Sequence, residues 1–417
     1  MAISNALRAL RSRNYRLFFT GQSISLIGTW MQRIATPWLV YELTNSVFLL
    51  GLVGFIGQLP IFLLAPIAGV FSDRWNRYRI LLTTQVLAMI QATLMAWLVL
   101  AERIELWQIL LLSLVLGGVN AFDIPARQAF LVRMVEKKED LGNAIALNSS
   151  IVNTARMLGP SAAGLLIAAI GTGVCFLFNA VSFVFVILSL LLMRLPGEQK
   201  NKEHRSILGE FGEGIRYTFG YAPIRYVILL LFLASLTGMP YVILMPVFAK
   251  EILLGSANTY GLLMGASGLG ALGGAFFLAT RKNADGLEKV IPLAAAVFGA
   301  GLILLSLSRS STLAFPVIVV AGFGMMLLMA TSNTVIQSIV ADEMRGRVMS
   351  FFTVAIMGTA PFGSLLAGSL AGRLGVPPTI ALGGVCCLIG ALAFAVKLPK
   401  IGKAMATGKD RKPDTAT

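Results

Sequence analysis

The chain has 417 residues, of which 57% are hydrophobic and 13% charged, with a mean hydropathy of +0.81 and a formal net charge of +15. A soluble domain carries roughly 25% charged residues, so composition excludes an ordinary soluble globule and indicates a polytopic, all-α membrane protein. Spans of ~20 residues joined by short connections use up the length in about twelve crossings, which leaves no room for a sizeable soluble domain.

The basic surplus would suit a polyanion only if it were spread over a surface. Reading the chain as alternating spans and loops puts Arg103, Lys250, Arg309 and Arg373 on the outer side and Arg33 and Arg156 within spans; the remaining Lys and Arg fall in the termini and cytoplasmic loops. By the positive-inside rule, this is a multi-pass protein of the plasma (inner) membrane with both termini cytoplasmic. The charge needs no nucleic-acid partner to explain it.

Residues 1–16 form a basic cytoplasmic N-terminus, and no small-residue cleavage site follows the first apolar run, which reads as an uncleaved helix. Spans are predicted near 17–41, 46–71, 80–101, 106–126, 143–170 and 174–194, an N-terminal six-helix bundle over 17–194. Residues 195–224 make a cytoplasmic linker, in which Ile207, Leu208, Phe211, Ile215 and Phe219 recur at helical spacing. That pattern predicts an amphipathic helix on the membrane surface. A C-terminal bundle over 225–397 follows, with spans near 225–249, 258–280, 287–307, 312–334, 350–372 and 376–397, and then a cytoplasmic tail over 398–417.

On the first span Gln22, Ser25, Thr29, Arg33 and Thr36 recur every three or four residues and make one polar stripe. Glu42 lies about 13 Å beyond Arg33 on a straight helix, so the two pair only if the helix bends. After the second span comes Gly69-Val70-Phe71-Ser72-Asp73-Arg74-Trp75-Asn76-Arg77-Tyr78-Arg79. Here Gly69 permits close helix approach, Asn76 is tolerant of a left-handed turn, and the arginines hold the loop in the cytoplasm. Asp73 either pairs with those arginines, caps a neighbouring helix, or is solvated.

Asp123 and Arg127 stand at i and i+4 where the fourth span is expected to end, and can pair on one face. The corresponding region after the tenth span carries Asp342, Glu343, Arg345 and Arg347. Two charged clusters at the cytoplasmic mouth suit an inner gate, the alternative being solvated loop ends. The fifth span holds Arg156 near mid-membrane, where a guanidinium needs a wet cavity or a partner. It continues into Gly159-Pro160 and Gly164, a bent helix with a smooth small-residue face.

The two bundles are copies. Sliding the sequence against itself by 204 places eight glycines on glycines: 51/255, 57/261, 69/273, 118/322, 142/346, 159/363, 164/368 and 171/375. Gly273, Arg281 and Lys282 form a decayed copy of the 69–79 stretch without its Asp. No nucleotide-binding loop, metal-ligand cluster or hydrolytic triad is present, so neither an enzyme nor ATP drive is expected. The single histidine, His204, lies in the linker, and Cys175, Cys386 and Cys387 read as core residues.

The 69–79 stretch closely resembles the loop between the second and third helices of the major facilitator superfamily. The loops at 120–128 and 337–347 resemble those of its enterobactin-exporter-like, or transmembrane secretion effector, branch. The resemblance implies twelve transmembrane helices in two six-helix pseudo-repeats, a conformational lock at Gly69, Asp73, Arg74 and Arg77, and a cavity lined by the first, fourth, seventh and tenth helices. On that reading Gln22, Thr29, Arg33 and Arg156 are cavity or substrate residues, and Trp30, Trp38, Phe122, Met239, Tyr241 and Met245 suit an apolar cargo.

Gly159, Pro160 and Gly164 resemble the antiporter motif, with Ala163 replacing one glycine. The implied protein is a monomeric, proton-driven exporter of small amphipathic molecules such as drugs or siderophores, with no cofactor. Asp123 and then Glu42 are the carboxylates available for proton coupling. The arginine that many proton-coupled members carry in the fourth helix is absent; Ser113, Leu116 and Gly117 occupy the matching pattern. A lysophospholipid or other lipid carrier shares this fold, and a transporter-like membrane receptor that does not transport is a third reading.

Overall fold

The computed structural model describes residues 7–194, 207–281 and 286–409, with the backbone alone at 65–67, 69–74, 138, 207–211, 214, 342 and 406–409. Among the described residues there is no strand. The long helices are α1 (Arg13–Thr44), α2 (Val47–Arg74), α3 (Arg77–Leu100), α4 (Leu106–Met134), α5 (Leu141–Ile170) and α6 (Gly173–Leu191). A short α7 (Ile207–Gly220) precedes α8 (Ala222–Ile252), α9 (Ala257–Ala279), α10 (Leu287–Leu307), α11 (Ser311–Ile339), α12 (Arg345–Leu374) and α13 (Val376–Lys409).

Eleven of the described helices are long and apolar enough to cross a membrane. The exception is α1, which has the length, at 32 residues, but whose Gln22, Ser25, Thr29, Gln32 and Arg33 dilute its apolar character. It packs against α5 and α6 as an integral member of the bundle. Helix α4 also departs from expectation, running to Met134 instead of ending near 126. Pro125 removes one backbone hydrogen bond without ending the helix, since neighbouring helices hold the bent segment in place.

The duplication is visible in the backbone. Short 3-10 turns at Lys138–Asp140 and Asp342–Met344 lead into helices at Leu141 and Arg345, at the same shift of 204. Helices α5 and α12 both end on a glycine at positive φ, Gly171 at 90° and Gly375 at 88°, a conformation that side chains resist. The packing repeats too: α1 with α6, α3 with α4 and α3 with α6 are matched by α8 with α13, α10 with α11 and α10 with α13.

The copies differ in one respect. Helix α8 contains π turns at Ala234–Gly238 and Phe248–Ile252, and α12 contains one at Val354–Gly358. Their counterparts α1 and α5 are uninterrupted α-helices. A π turn frees a backbone carbonyl, and the buried Ser235 hydroxyl donates to the Ile356 carbonyl at 2.6 Å, joining two of these turns.

By proximity the residues cluster into two compact units, 1–202 with 245–265, and 203–244 with 266–417. In the first, the Arg8–Arg11 turn is fastened to the start of α5: Arg8 pairs with Asp140 at 3.1 Å and the Ala9 N–H donates to Asn143 at 3.0 Å. In the second, α7 is fastened to the start of α12: Arg347 pairs with Glu213 at 2.6 Å and the Ala341 N–H donates to the Tyr217 hydroxyl at 3.3 Å. Ala9/Glu213 and Asn143/Arg347 are each related by the shift of 204.

The linker helix is thus pinned through its polar face as well as being amphipathic; Ile207, Leu208 and Phe211 have side chains outside the described residues. Glu213→Lys is expected to release α7, seen as faster proteolysis within 207–220, and the swap Glu213→Arg with Arg347→Glu to restore protection. The stability change stays below about 1 kcal/mol because the Glu213 side of the pair is largely exposed.

Candidate functional site

The polar stripe of α1 changes character along its length. Gln22 and Ser25 are buried, Thr29 and Thr36 half-buried, and Arg33 is exposed although it lies well inside the helix. The Arg33 guanidinium lies 4.9 Å from the centre of the Trp30 ring, and the Arg156 guanidinium lies 5.8 Å from the same ring. The two guanidinium groups therefore share one indole. A guanidinium at the centre of a membrane helix costs at least about 2.5–3.5 kcal/mol, so two of them on one indole need a local reason. Beside the stripe, Gln32 accepts from Asn179 at 2.6 Å and donates to Gln91 at 3.0 Å, a buried bridge between α1, α3 and α6. Such contacts hold membrane helices together at about 0.6 kcal/mol each.

Asp123 is 2% exposed and lies inside α4. Its carboxylate pairs with Arg127 and accepts from Thr84 at 2.9 Å and from Gln85 at 2.7 Å. The expected i,i+4 partner is therefore present, but in a covered site between α3 and α4, because α4 extends past the predicted end. Gln85 Oε1 and Arg127 Nε are buried without partners, so this site retains unused hydrogen-bonding capacity.

The Gly159–Gly164 face of α5 meets backbone on both sides. A Cβ on Gly159 would lie 2.5 Å from Trp30 Cβ and 3.1 Å from the Ile27 carbonyl of α1. One on Gly164 would lie 2.8 Å from both the Ala257 carbonyl and the Gly261 Cα of α9, and one on Gly261 would lie 2.5 Å from the Pro160 carbonyl. Pro160 itself is buried. The result is a seam of backbone on backbone between α5 and the start of α9, with only the small Ser161 side chain seated against Gly265 further along it.

Sequence reasoning missed a second cluster. Tyr41 near the end of α1 donates to Glu251, in the π turn of α8, and the Lys250 ammonium lies 5.3 Å from the Tyr41 ring. Trp38 stacks on the buried Tyr260 of α9 at 5.9 Å and 15°, while its indole N–H donates to Glu42 at 2.6 Å. Glu42 is thus occupied by Trp38 on its own helix, one turn away, and not by Arg33. The only sequence signal was Lys250-Glu251 directly after the expected end of the seventh span; nothing local linked it to Tyr41. Tyr41→Phe removes a hydrogen bond to a charged acceptor worth about 1.5–3 kcal/mol. It is expected to raise cysteine-labelling rates in a Leu253→Cys reporter, which leaves Glu251 in place at the half-buried end of the π turn, relative to the same reporter with Tyr41 intact.

The side chains of Gly69, Asp73, Arg74 and Asp342, and all of His204, lie outside the described residues. Glu343 and Arg345 are exposed, Arg77 is half-buried, and Arg347 is engaged by Glu213. Asn76 takes no left-handed turn: at φ −65° and ψ 111° it caps α3, its side chain accepting from the Arg79 N–H at 3.2 Å. An Asn one residue before a helix gains more by capping it. Of the aromatic and methionine set, Trp38, Tyr241 and Met245 are buried in packing, leaving Trp30, Phe122 and Met239 partly open. Among the described residues no group of His, Cys, Asp and Glu could hold a metal ion.

Residues 4–416 match the family described as transmembrane secretion effector. The chain is 24% identical to the staphyloferrin A transporter of Staphylococcus aureus over 91% of its own length and 95% of that protein. It is 24% identical to the multidrug efflux pump Tap of Mycolicibacterium fortuitum over 90% and 93%. A bacterial homologue of the human lysosomal transporter Spinster, solved inward-facing and unoccupied, superposes with a TM-score of 0.70 at 16% identity, covering 97% of this chain and 99% of that one. With the family matching nearly end to end over a duplicated six-helix fold, the chain belongs to the transmembrane secretion effectors of the major facilitator superfamily.

Proposed function

We propose that this chain is a secondary active exporter of small amphipathic molecules, working by alternating access and driven by the proton gradient across the inner membrane, with both termini cytoplasmic. The observation that carries the reading is the close small-residue seam of Pro160 and Gly164 against Ala257 and Gly261, a surface along which packed helices can rearrange without unlocking bulky side chains. Relatives named as a siderophore transporter and a multidrug efflux pump support the direction and the cargo class. In this mechanism the bundles 17–194 and 225–397 move as bodies about a central site. Gly69, Asp73, Arg74 and Arg77 act as the lock, and Asp123 with Arg127 exchanges the proton, with Glu42 second in line. The charged groups Asp342, Glu343, Arg345 and Arg347 complete the cytoplasmic gate.

The test is substrate-dependent proton movement in reconstituted vesicles, screening cationic, neutral and anionic amphiphiles against an imposed pH gradient. Proton flux triggered by one class supports antiport. Cargo transfer without proton flux supports the second reading, a lipid carrier, which the exposed Arg33 favours because a phosphate can meet it. Neither signal overturns both and leaves the non-transporting receptor.

A further inference from the structure

We infer that the groove between the first turn of α10 and the last turns of α13 binds an anionic glycerophospholipid of the bilayer, with Lys289 and Lys403 on its phosphate and an acyl chain over Leu293 and Leu392. The inference requires only that these two helices cross the membrane and does not rest on the exporter reading. The groove has a volume of about 370 Å³ and is floored by Ala395, Leu398, Pro399 and Gly402, with Glu288, Lys289 and Lys403 around it. Helix packing leaves it there. α10 and α13 meet backbone to backbone at Gly299 and Gly384, where a Cβ on either would lie 2.7 or 2.6 Å from the carbonyl of the other. The groove lies about 16 Å before that contact along α10, between the ends of the same two helices.

Depth places the groove among headgroups. α10 is 21 residues long, the length of one hydrocarbon crossing, so its first turn lies at the membrane surface. Counted from Val376, α13 reaches that level near residue 396, and Lys397, Lys400 and Lys403 follow directly. The flanking faces are lipid-facing: from Leu293 to Leu307 on α10 and from Leu382 to Val396 on α13, every exposed residue is apolar. Leu293 follows Lys289 by four residues and Leu392 precedes Ala395 by three, so each continues a groove stripe one turn deeper into the bilayer. They are 61% and 67% exposed, an open apolar track for a chain whose headgroup sits in the groove.

Charge selects the headgroup. Two ammonium groups face one carboxylate in the lining, and Glu288 stands in the first turn of α10, where the positive end of the helix already favours it. Lys397 and Lys400 add to the positive field from the same turns of α13. An ammonium has three N–H donors, so each lysine can hold a phosphate oxygen beside any other partner. Phosphatidylglycerol brings a phosphate alone to this basic rim, whereas a zwitterionic lipid brings a second cation with it.

The test places purified protein in phosphatidylcholine nanodiscs with traces of phosphatidylglycerol, phosphatidylethanolamine or phosphatidylcholine that carry one photoactivatable acyl chain. Crosslinks are mapped by peptide mass spectrometry. The yield of each lipid at 287–293 and 389–403 is divided by its yield at 181–192 of α6, a lipid-exposed stretch without charged residues. Phosphatidylglycerol is expected to exceed phosphatidylcholine about fivefold, the effect of one net positive charge at the surface. Lys403→Gln should remove most of that preference and Lys289→Gln with Lys403→Gln all of it. Lys400→Gln, an equal change of charge outside the lining, should leave it, and Glu288→Gln should increase it.

Equal yields of phosphatidylglycerol and phosphatidylcholine overturn the inference. So does a loss with Lys400→Gln as large as with Lys403→Gln in proteins of equal thermal stability, which would mean diffuse attraction to a basic surface. Preference for phosphatidylethanolamine, weakened by Glu288→Gln, would replace it with a zwitterion site. Absence of crosslinks from every lipid would mean that protein covers the groove and would overturn it as well.

Discussion

Gly164→Val is expected to reduce transport by at least about fivefold while membrane insertion and abundance stay near those of the unchanged protein. The added carbons would fall 2.8 Å from the Ala257 carbonyl and the Gly261 Cα, both of them backbone and unable to swing aside as a side chain would. Overpacking of this kind costs about 1–3 kcal/mol, which is about a 5- to 150-fold shift against any arrangement that needs the seam closed. Gly261→Val, approaching from the other side, should do the same, since its Cβ meets the Pro160 carbonyl at 2.5 Å. The control is Gly118→Ala on α4, where no atom lies within 4 Å and transport should persist. Vesicle transport by Gly164→Val above half the normal rate would remove the seam from the mechanism.

Asp123→Ala should destabilise the protein by about 3–5 kcal/mol, because it strands Arg127 as an uncompensated, mostly covered charge and takes the acceptor from Thr84 and Gln85. The drop is read as a lowered unfolding temperature in detergent. The informative variant is the pair Asp123→Asn with Arg127→Leu, which removes both charges. It should recover most of the stability while leaving proton-coupled transport abolished, since no group remains at the site to exchange a proton. Recovery of coupled transport along with stability would assign Asp123 a purely structural role. The unpartnered Gln85 Oε1 and Arg127 Nε beside the carboxylate motivate the coupling role, because they can accept or donate as the carboxylate changes protonation.

These two sites mark how far local pattern reaches. Gly159, Pro160 and Gly164 were legible as a small-residue helix face because the residue types alone dictate close approach. Gly261, the partner of Pro160 and Gly164, was visible only as one member of a glycine pair at a shift of 204. Asp123 and Arg127 were legible as an i,i+4 pair, yet their burial was not. It depends on α4 continuing through Pro125 and on Thr84 and Gln85 arriving from α3. Tyr41 and Glu251 lie far apart in the chain and have no motif in common, so only the folded chain could reveal their bond.

Composition, charge placement and internal repetition determined the class of this protein by themselves. A bilayer admits essentially one backbone solution for a chain this apolar, and gene-scale duplication leaves its glycines in register. The pairing of charges was left to tertiary structure: Arg347 with Glu213 on the linker helix, Glu42 with Trp38, and Arg33 and Arg156 gathered on Trp30. The reason is range. Hydrophobicity acts on each residue wherever it sits, whereas a hydrogen bond or ion pair exists only within a few ångströms of a partner that the fold must deliver.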